Sequence, residues 1–435
     1  MHMSKYLTTE ELHQLFIQCH QKVTTDTRKL NNDSIFFALK GENFDANTFA
    51  KQAIEQGCKF AIVDNEQVSD NHTIFLVKDV LQSLQDLATY HRKKLAIPII
   101  GITGSNAKTT HKELIQAVLS KKYKVYATFG NLNNHIGVPL TLLAITPQHE
   151  IGIVEMGANH VGEIAMLCNI AQPDYGMITN IGKAHIGEFG SFENIIQAKT
   201  ELYAYIKSNG KKIFVNAEDA LLMKHARGID QITYGTRSNA YCRSELVEVN
   251  PFLKIVYENQ PIQSKLIGTY NFDNITLAIC IGKYFGIGIA DIKNAIEEYV
   301  PSNNRSQIVK TKSNEIVLDA YNANPSSMMV AIQNFYQMKG DDKWLILGDM
   351  LELGQYEVEE HKSIIKLIES KKFKHVILVG NRFDKAVLEL GSNFPVFKTS
   401  DELLNVISHQ YRIKDALILI KGSRGMKLER VVDSL

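Results

Sequence analysis

Short apolar runs alternate with longer amphipathic stretches along most of the chain, a pattern that predicts strands and helices in turn. After an opening helix, FFAL (Phe36 to Leu39), FAIVD and TIFLV read as strands, and NTFAKQAIEQG and VLQSLQDLATYHRKKL as helices, a small α/β unit ending near residue 96. The strand AIPII (Ala96 to Ile100) then leads through a glycine-containing loop to the helix KTTHKELIQAVLSKK. Strands KVYAT, EIGIVEMGANH and YGMITNI (Tyr175 to Ile181) follow, with an Asn/Gly-rich loop and a buried helix in GNLNNHIGVPLTLLAI, and another helix beginning near Phe192. A β-rich stretch (Ile213 to Ile267) precedes a helix starting near Asn271. Beyond it EIVLDA, KWLILGD, HVILVG, PVFKTSDELLNVI and DALILI alternate with the helices SSMMVAIQNFYQM and VEEHKSIIKLIES, as in a parallel, doubly wound sheet. The expected fold is α/β in three domains. These are a small N-terminal α/β domain (1–96), a central domain with a mostly parallel sheet (97–308) and a C-terminal Rossmann-like domain (309–435).

The stretch GITGSNAKTTHKEL, Gly101 to Leu114, carries the clearest chemistry. Strand, glycine loop, Lys108-Thr109 and helix make the arrangement of a P-loop. There, backbone N–H groups at a helix N-terminus surround phosphates, the Lys reaches the β/γ oxygens and the Thr hydroxyl meets Mg²⁺. A nucleoside triphosphate is the expected ligand, and the central domain is expected to be of the P-loop ATPase type. The strict spacing would place glycine at 102 and 107, where Ile102 and Ala107 stand, so a β-to-α turn that uses glycine for geometry alone is the competing reading.

Length and composition narrow the classes. A chain of 435 residues exceeds one hydrophobic core, and 48 basic against 47 acidic side chains give no electrostatic reason to expect nucleic acid or a membrane surface. Cys19, Cys58, Cys168, Cys242 and Cys280 lack C-x-x-C spacing and fit a reducing cytoplasm. No apolar run is long enough to span a bilayer, and the polar start MHMSKYLTTEELHQLF does not read as a signal peptide.

Other candidates carry alternatives. Asp26 and Arg28 form a solvated pair or face an anion such as a diphosphate. Glu155, at a strand's carboxyl end, is a Mg²⁺ ligand or a solvent-exposed terminus. His185 and Lys199, taken singly, are a structural hydrogen-bond partner and a solvated helix face. Asn271 and Asn274 share one face of a helix start, as nucleotide contacts or as a cap; Asp319 and Asn322 end a strand, before Pro325. Lys421, Ser423 and Arg424 occupy the last strand-to-helix junction, which suits a carboxylate.

Taken together, GITGSNAKTT, GNLNNHIGVPLTLL, VEMGANHVGEI, ITNIGKAHIGEFGS, AKTELY, GTYNFDNITLAI, NNRSQ, LDAYNANPSSM, LILGDMLELG and KGSRGMKLE, with DTRKL and FFALKGENFD, resemble the Mur ligases over essentially the whole chain. FFALKGENF, DAYNANP and GDMLELG favour the members that join D-alanyl-D-alanine to UDP-N-acetylmuramoyl-tripeptide in peptidoglycan precursor synthesis.

The resemblance implies an ATP-dependent amide ligase, cytoplasmic and monomeric, working through an acyl phosphate, with domain closure during turnover. It implies ATP at Gly104, Ser105, Asn106, Ala107, Lys108, Thr109 and Thr110, with Asn271, Asn274, Arg305, Asp319 and Asn322 around the nucleotide. It implies a first Mg²⁺ at Thr109 and Glu155, and a second at His185 and a carbamate on Lys199, so that Lys108, His185 and Lys199 are the catalytic set. Asp26, Arg28, Lys40, Asn43, Asn133, Asn134 and His135 are implied for the UDP-linked substrate, and Lys421, Ser423 and Arg424 for the dipeptide terminus. Rival readings are a tripeptide-forming Mur ligase, a folylpolyglutamate-type ligase, and a catalytically silent nucleotide-binding homologue, the last suggested by Ala107.

Overall fold

Parallel strands that are apolar on both faces need helices on both sides, and that requirement organises the molecule. The computed structural model describes residues 5–301 and 304–435; the first residues of the polar start and Asn303 of the NNRSQ block lie outside them. Among the described residues the strands form three sheets and one two-stranded hairpin (Lys40–Gly41 with Phe44–Asp45). The first sheet is four-stranded and parallel, ordered Val23–Thr24, Ile35–Phe37, Phe60–Val63, Ile74–Leu76.

The central sheet has nine strands. Ile99–Thr103 lies between Ile151–Glu155 and Tyr175–Ile178, with Val125–Ala127 on the outer side of the former. On the other side the parallel order continues through Lys212–Asn216, Asp230–Gly235 and Cys242–Glu248, and Lys254–Tyr257 and Gln260–Gln263 extend it antiparallel. The register sets Ile102 opposite Glu155 and Thr103 opposite Ile178, so the loops leaving all three middle strands open at one edge. That edge is where open α/β sheets bind ligands.

The six-stranded C-terminal sheet runs Gln307–Lys310, Glu315–Asp319, Leu417–Lys421, Lys343–Gly348, His375–Val379, Val396–Phe397. All its pairings are parallel except the first. The antiparallel edge strand Gln307–Lys310 has no counterpart in the sequence pattern, because its residues are only half buried and carry no apolar run. The strand expected at Ala96–Ile100 forms instead at Ile99–Thr103, every residue of it buried, so Gly101 belongs to the strand and not to the loop.

The N-terminal unit is fastened to the central unit at several points, with Gln85 Nε2 donating to His135 O at 3.0 Å, His91 Nε2 to Ile145 O at 2.8 Å, and Arg92 holding the base of the central sheet. Arg92, in the last turn of the helix Val80–Lys94, donates to the carbonyls of Ala171 (3.0 Å), Gln172 (3.0 Å) and Leu95 (3.1 Å) and pairs with Asp174 at 2.8 Å. Asp174 also accepts from the Ile99 amide at 3.0 Å. Cutting a largely buried charge pair on one side is expected to cost about 3 kcal/mol. Arg92→Leu should therefore lower the urea midpoint by that equivalent, and an unchanged midpoint would contradict the clamp.

Candidate functional site

The glycine loop folds as a cradle because its neighbours fix it. Gly104 has φ +144°, and a Cβ there would run into Thr179 Oγ1, so only glycine fits. The loop is stapled to the segment after Tyr175–Ile178: the Ser105 amide donates to Asn180 O (2.9 Å), the Asn106 amide to Asn180 Oδ1 (3.1 Å), and Thr179 Oγ1 to Asn106 O (2.7 Å). Ala107 has φ 61° and ψ 12°, left-handed, immediately before the helix Lys108–Leu119. Lys108 reaches back over the loop and donates to Gly104 O at 2.7 Å. Burial pushes its ammonium down, with Glu155 opposing that shift.

Beneath the loop lies Glu155, 2% exposed, at the end of Ile151–Glu155. Its Oε2 accepts from Thr109 Oγ1 at 3.1 Å and lies 3.5 Å from Lys112 Nζ, and its Oε1 accepts from Asn133 Nδ2 at 2.9 Å. The open-solvent reading of Glu155 is thereby corrected: the carboxylate is held inside the site. Lys199 is corrected in the same sense, for it is 2% exposed on the helix Phe192–Ser208 and not on a solvated face. Its Nζ donates to Ala158 O at 3.2 Å and stands 5.2 Å from the centre of the Phe189 ring. Burial, reinforced by the charge of Lys108, pushes this ammonium down to about 7.

These groups line one cavity of about 740 Å³. Its wall includes Gly104 through Thr110, Asn133, Asn134, His135, Glu155, His185, Lys199, Asn271, Asn274, Arg305, Asp319, Asn322 and Lys421. Asn271 does not cap its helix. Tyr270 holds that position, while Asn271 Nδ2 donates to Ile267 O and its Oδ1 accepts from Asn274 Nδ2 at 2.6 Å. Both asparagines are buried and turned to the cavity.

Other sequence candidates stand elsewhere. Arg28 forks onto Asp26 (2.9 Å to each oxygen) and is largely exposed; Lys40 pairs with Asp64 at 2.7 Å. Neither these residues nor the exposed Asn43 belong to the cavity wall. Lys421 is buried and committed to Asp319 at 2.6 Å, and Ser423 is buried with its Oγ accepting from the Leu351 amide at 2.9 Å. Lys421 and Ser423 of the junction expected to hold a carboxylate are therefore already engaged within the chain, and Arg424 of the same junction has no carboxylate partner among the described residues.

The pattern leaves several wall residues unmarked. The Arg305 guanidinium stacks 3.7 Å from the centre of Tyr321, and Arg424 lies 5.2 Å from the same ring. Asn324 Nδ2 donates to Asn106 Oδ1 at 2.7 Å, so the C-terminal unit touches the phosphate loop directly. Glu352 Oε2 approaches His185 Nδ1 to 2.8 Å, a close contact without good hydrogen-bond alignment. Among the described residues no three His, Cys, Asp or Glu side chains form a ready metal cluster. A cation with oxygen ligands that keeps its waters needs only one or two protein carboxylates, and the buried Glu155 with the Thr109 hydroxyl fits that demand.

Sequence profiles of known families match the chain twice: the Mur ligase middle domain over residues 102–282, and the Mur ligase glutamate ligase domain over 304–424. The UDP-N-acetylmuramoyl-tripeptide–D-alanyl-D-alanine ligase of Bacillus subtilis (strain 168) is 38% identical, covering 95% of this chain and 92% of its own. The chain belongs to the Mur ligase family. A crystal structure of MurF from Acinetobacter baumannii superposes with a TM-score of 0.84 at 30% identity over 97% of each chain. MurF ligase from Thermotoga maritima in complex with ADP shares the fold at a TM-score of 0.83 and 24% identity, over 96% of this chain and 97% of that one. In this chain three large sheets surround the cleft, and the residue before the phosphate-loop lysine is Ala107.

A left-handed Ala costs roughly 1 to 2 kcal/mol, equivalent to about ten-fold in an equilibrium constant. Ala107→Gly is expected to tighten ATP binding by no more than about that factor, measured by calorimetry. ATP binding by the glycine variant alone would show that Ala107 disables the loop.

Proposed function

We propose that this chain joins D-alanyl-D-alanine to UDP-N-acetylmuramoyl-tripeptide at the expense of ATP, in the cytoplasmic assembly of peptidoglycan precursors. The observation that carries the reading is one cleft holding a phosphate loop, a buried carboxylate and a buried lysine, in a chain similar over its full length to ligases of that name. The proposed division at 1–96, 97–308 and 309–435 follows the three large sheets except at its last boundary, which falls inside the strand Gln307–Lys310 of the C-terminal sheet. The UDP-linked substrate would meet Asp26, Arg28, Lys40 and Asn43 on the N-terminal unit and Asn133, Asn134 and His135 at the cleft.

The chemistry is two displacements. The tripeptide carboxylate oxygen attacks the γ-phosphorus of ATP, forming an acyl phosphate and releasing ADP. The dipeptide amine then attacks the acyl carbon, forming the C–N bond, losing a proton and expelling phosphate. Lys108 and Arg305 would face the phosphates, which the backbone amides of Ala107, Lys108 and Thr109 would meet at the helix N-terminus, those of Ser105 and Asn106 being taken by Asn180. Asn271, Asn274, Asp319 and Asn322 bound the nucleotide, and Arg424 is the cation left for the dipeptide carboxylate. Thr109 and Glu155 would hold a Mg²⁺, and His185 and Lys199 a second; bound there, the ions would supply neutralisation of the charge on the transferring phosphoryl group.

Lys199 is proposed to take up CO₂, its amine nitrogen bonding the carbon and releasing a proton, which turns a cation into an anionic oxygen ligand. What supports this is a buried ammonium pushed down to about 7, so the neutral, nucleophilic amine predominates above that pH. With ¹³CO₂, a carbamate signal is expected at pH 8 and is expected to fade as pH falls below 7. Lys199→Ala is expected to lose at least about a hundred-fold in turnover, with partial rescue by short carboxylates. Near-wild-type turnover would remove Lys199 from the site.

The ligase reading itself is tested by ADP release with UDP-N-acetylmuramoyl-tripeptide, with and without D-alanyl-D-alanine, and by mass measurement of the product. Steady-state release should require the dipeptide, since the acyl phosphate stalls without its amine. Release that ignores the dipeptide, with no new amide, would sink it.

A further inference from the structure

Lys112 is an unusual guest behind the site. It follows Lys108 by one helical turn and falls on the buried stripe of Lys108–Leu119 that includes Ile115, Val118 and Leu119. Its side chain is 4% exposed, with Nζ 3.5 Å from Glu155 Oε2 and donating to Gly130 O at 3.1 Å. A lysine in such a place must be offset by an anion, and Glu155 is that anion. The same oxygen accepts from Thr109, so the carboxylate assigned to the metal is already matched by a fixed positive charge.

We propose that Lys112 sets the order of binding: it keeps Glu155 from holding a divalent cation by itself, so that the metal enters only together with a phosphate-bearing nucleotide. A divalent cation at Glu155 and Thr109 would sit beside Lys112, with Lys108 across the loop, and repulsion among cations in a dry pocket is strong. The negative charge that reverses this balance arrives with the polyphosphate. Lys112 thereby guards the cleft against a bare metal ion, which would draw the substrate carboxylate into an unproductive complex. Its bond to Gly130 O fixes its position and also tethers the loop carrying Asn133 and Asn134.

The inference rests on the reading of Thr109 and Glu155 as the metal site, and Mn²⁺ followed by electron paramagnetic resonance on the full chain separates the two. Wild-type protein is expected to bind Mn²⁺ at least about ten-fold more weakly without ADP than with it, a factor worth 1.4 kcal/mol. Lys112→Met should raise the ADP-free affinity by about that factor, Lys112→Arg should leave it low, and Glu155→Gln added to Lys112→Met should abolish the gain. An unchanged ADP-free affinity in Lys112→Met, or a gain surviving Glu155→Gln, overturns the proposal and leaves Lys112 as a tie to Gly130. Should the Met variant fail to fold by circular dichroism, Lys112→Gln takes its place. Equal wild-type affinities with and without ADP overturn the proposal whatever the variants do. Absence of Mn²⁺ binding even with ADP removes the metal reading of Glu155, and the inference with it.

Discussion

Buried positive charge is the constraint on which the cleft depends. Lysine and arginine side chains converge on one cavity at the carboxyl edge of the central sheet, and each must find a partner or stay poised for one. Lys421 is settled by Asp319 and Lys112 by Glu155. Lys108 rests on Gly104 O, Lys199 on Ala158 O, and Arg305 on the face of Tyr321. Carbonyl dipoles and a ring quadrupole stabilise cations less than a carboxylate does, and burial lowers both lysines. A polyphosphate answers that unbalanced charge, which is why the electrostatics favour a nucleotide before any contact to a base is considered.

The parallel sheet places these cations, and the C-terminal unit completes their enclosure. Its contacts with the central unit combine polar bonds with apolar packing: Asn324 to Asn106, Lys183 Nζ to Glu360 at 2.7 Å, the Lys183 amide to Ser326 Oγ at 3.1 Å and Tyr356 Oη to Gly190 O at 2.9 Å, while Ile186 and Phe189 share a buried cluster with Met350 and Leu353. At the tightest point Gly187 and Gly354 pass backbone against backbone, where a Cβ on Gly187 would strike Leu353 and Gly354. The polar bonds along this seam can be exchanged for water on opening, whereas its apolar contacts and the buried Arg92 clamp beneath the N-terminal unit resist separation. The expected closure of the C-terminal domain therefore has a physical seam along which to run.

The strand, loop and helix around Lys108 were legible because each rests on local pattern: an apolar run, a glycine with positive φ, an amphipathic helix. Glu155 was legible as a strand end, while its burial was not, since that comes from Thr109, Asn133 and Lys112 brought in from other segments. Lys199 read as a surface residue because a lysine on a helix usually is one; only the buried stripe of its helix hints otherwise. Lys421 and Ser423 had the right chemistry for a ligand, but Asp319 and the Leu351 amide claim them first. Such pairings, across 102 and 72 residues, leave no mark on local sequence.

Backbone strain gathers at the same place. Ala107, His185 and Glu352 all line the cleft in left-handed conformations that non-glycine side chains avoid. His185 and Glu352 come from different units and meet at 2.8 Å, each on its own strained residue, with the Gly187 amide donating to Glu352 O at 3.2 Å. Two strained residues facing each other across a seam persist only while both units hold them. Separating the units would free each to relax, so contact between His185 and Glu352 links the shape of the proposed metal-bearing loop to the position of the C-terminal unit. Ala107 differs in kind, because its strain lies within one loop and is fixed by Thr179 and Asn180 of its own unit. The phosphate cradle is thus built into the central unit, whereas the geometry around His185 depends on closure.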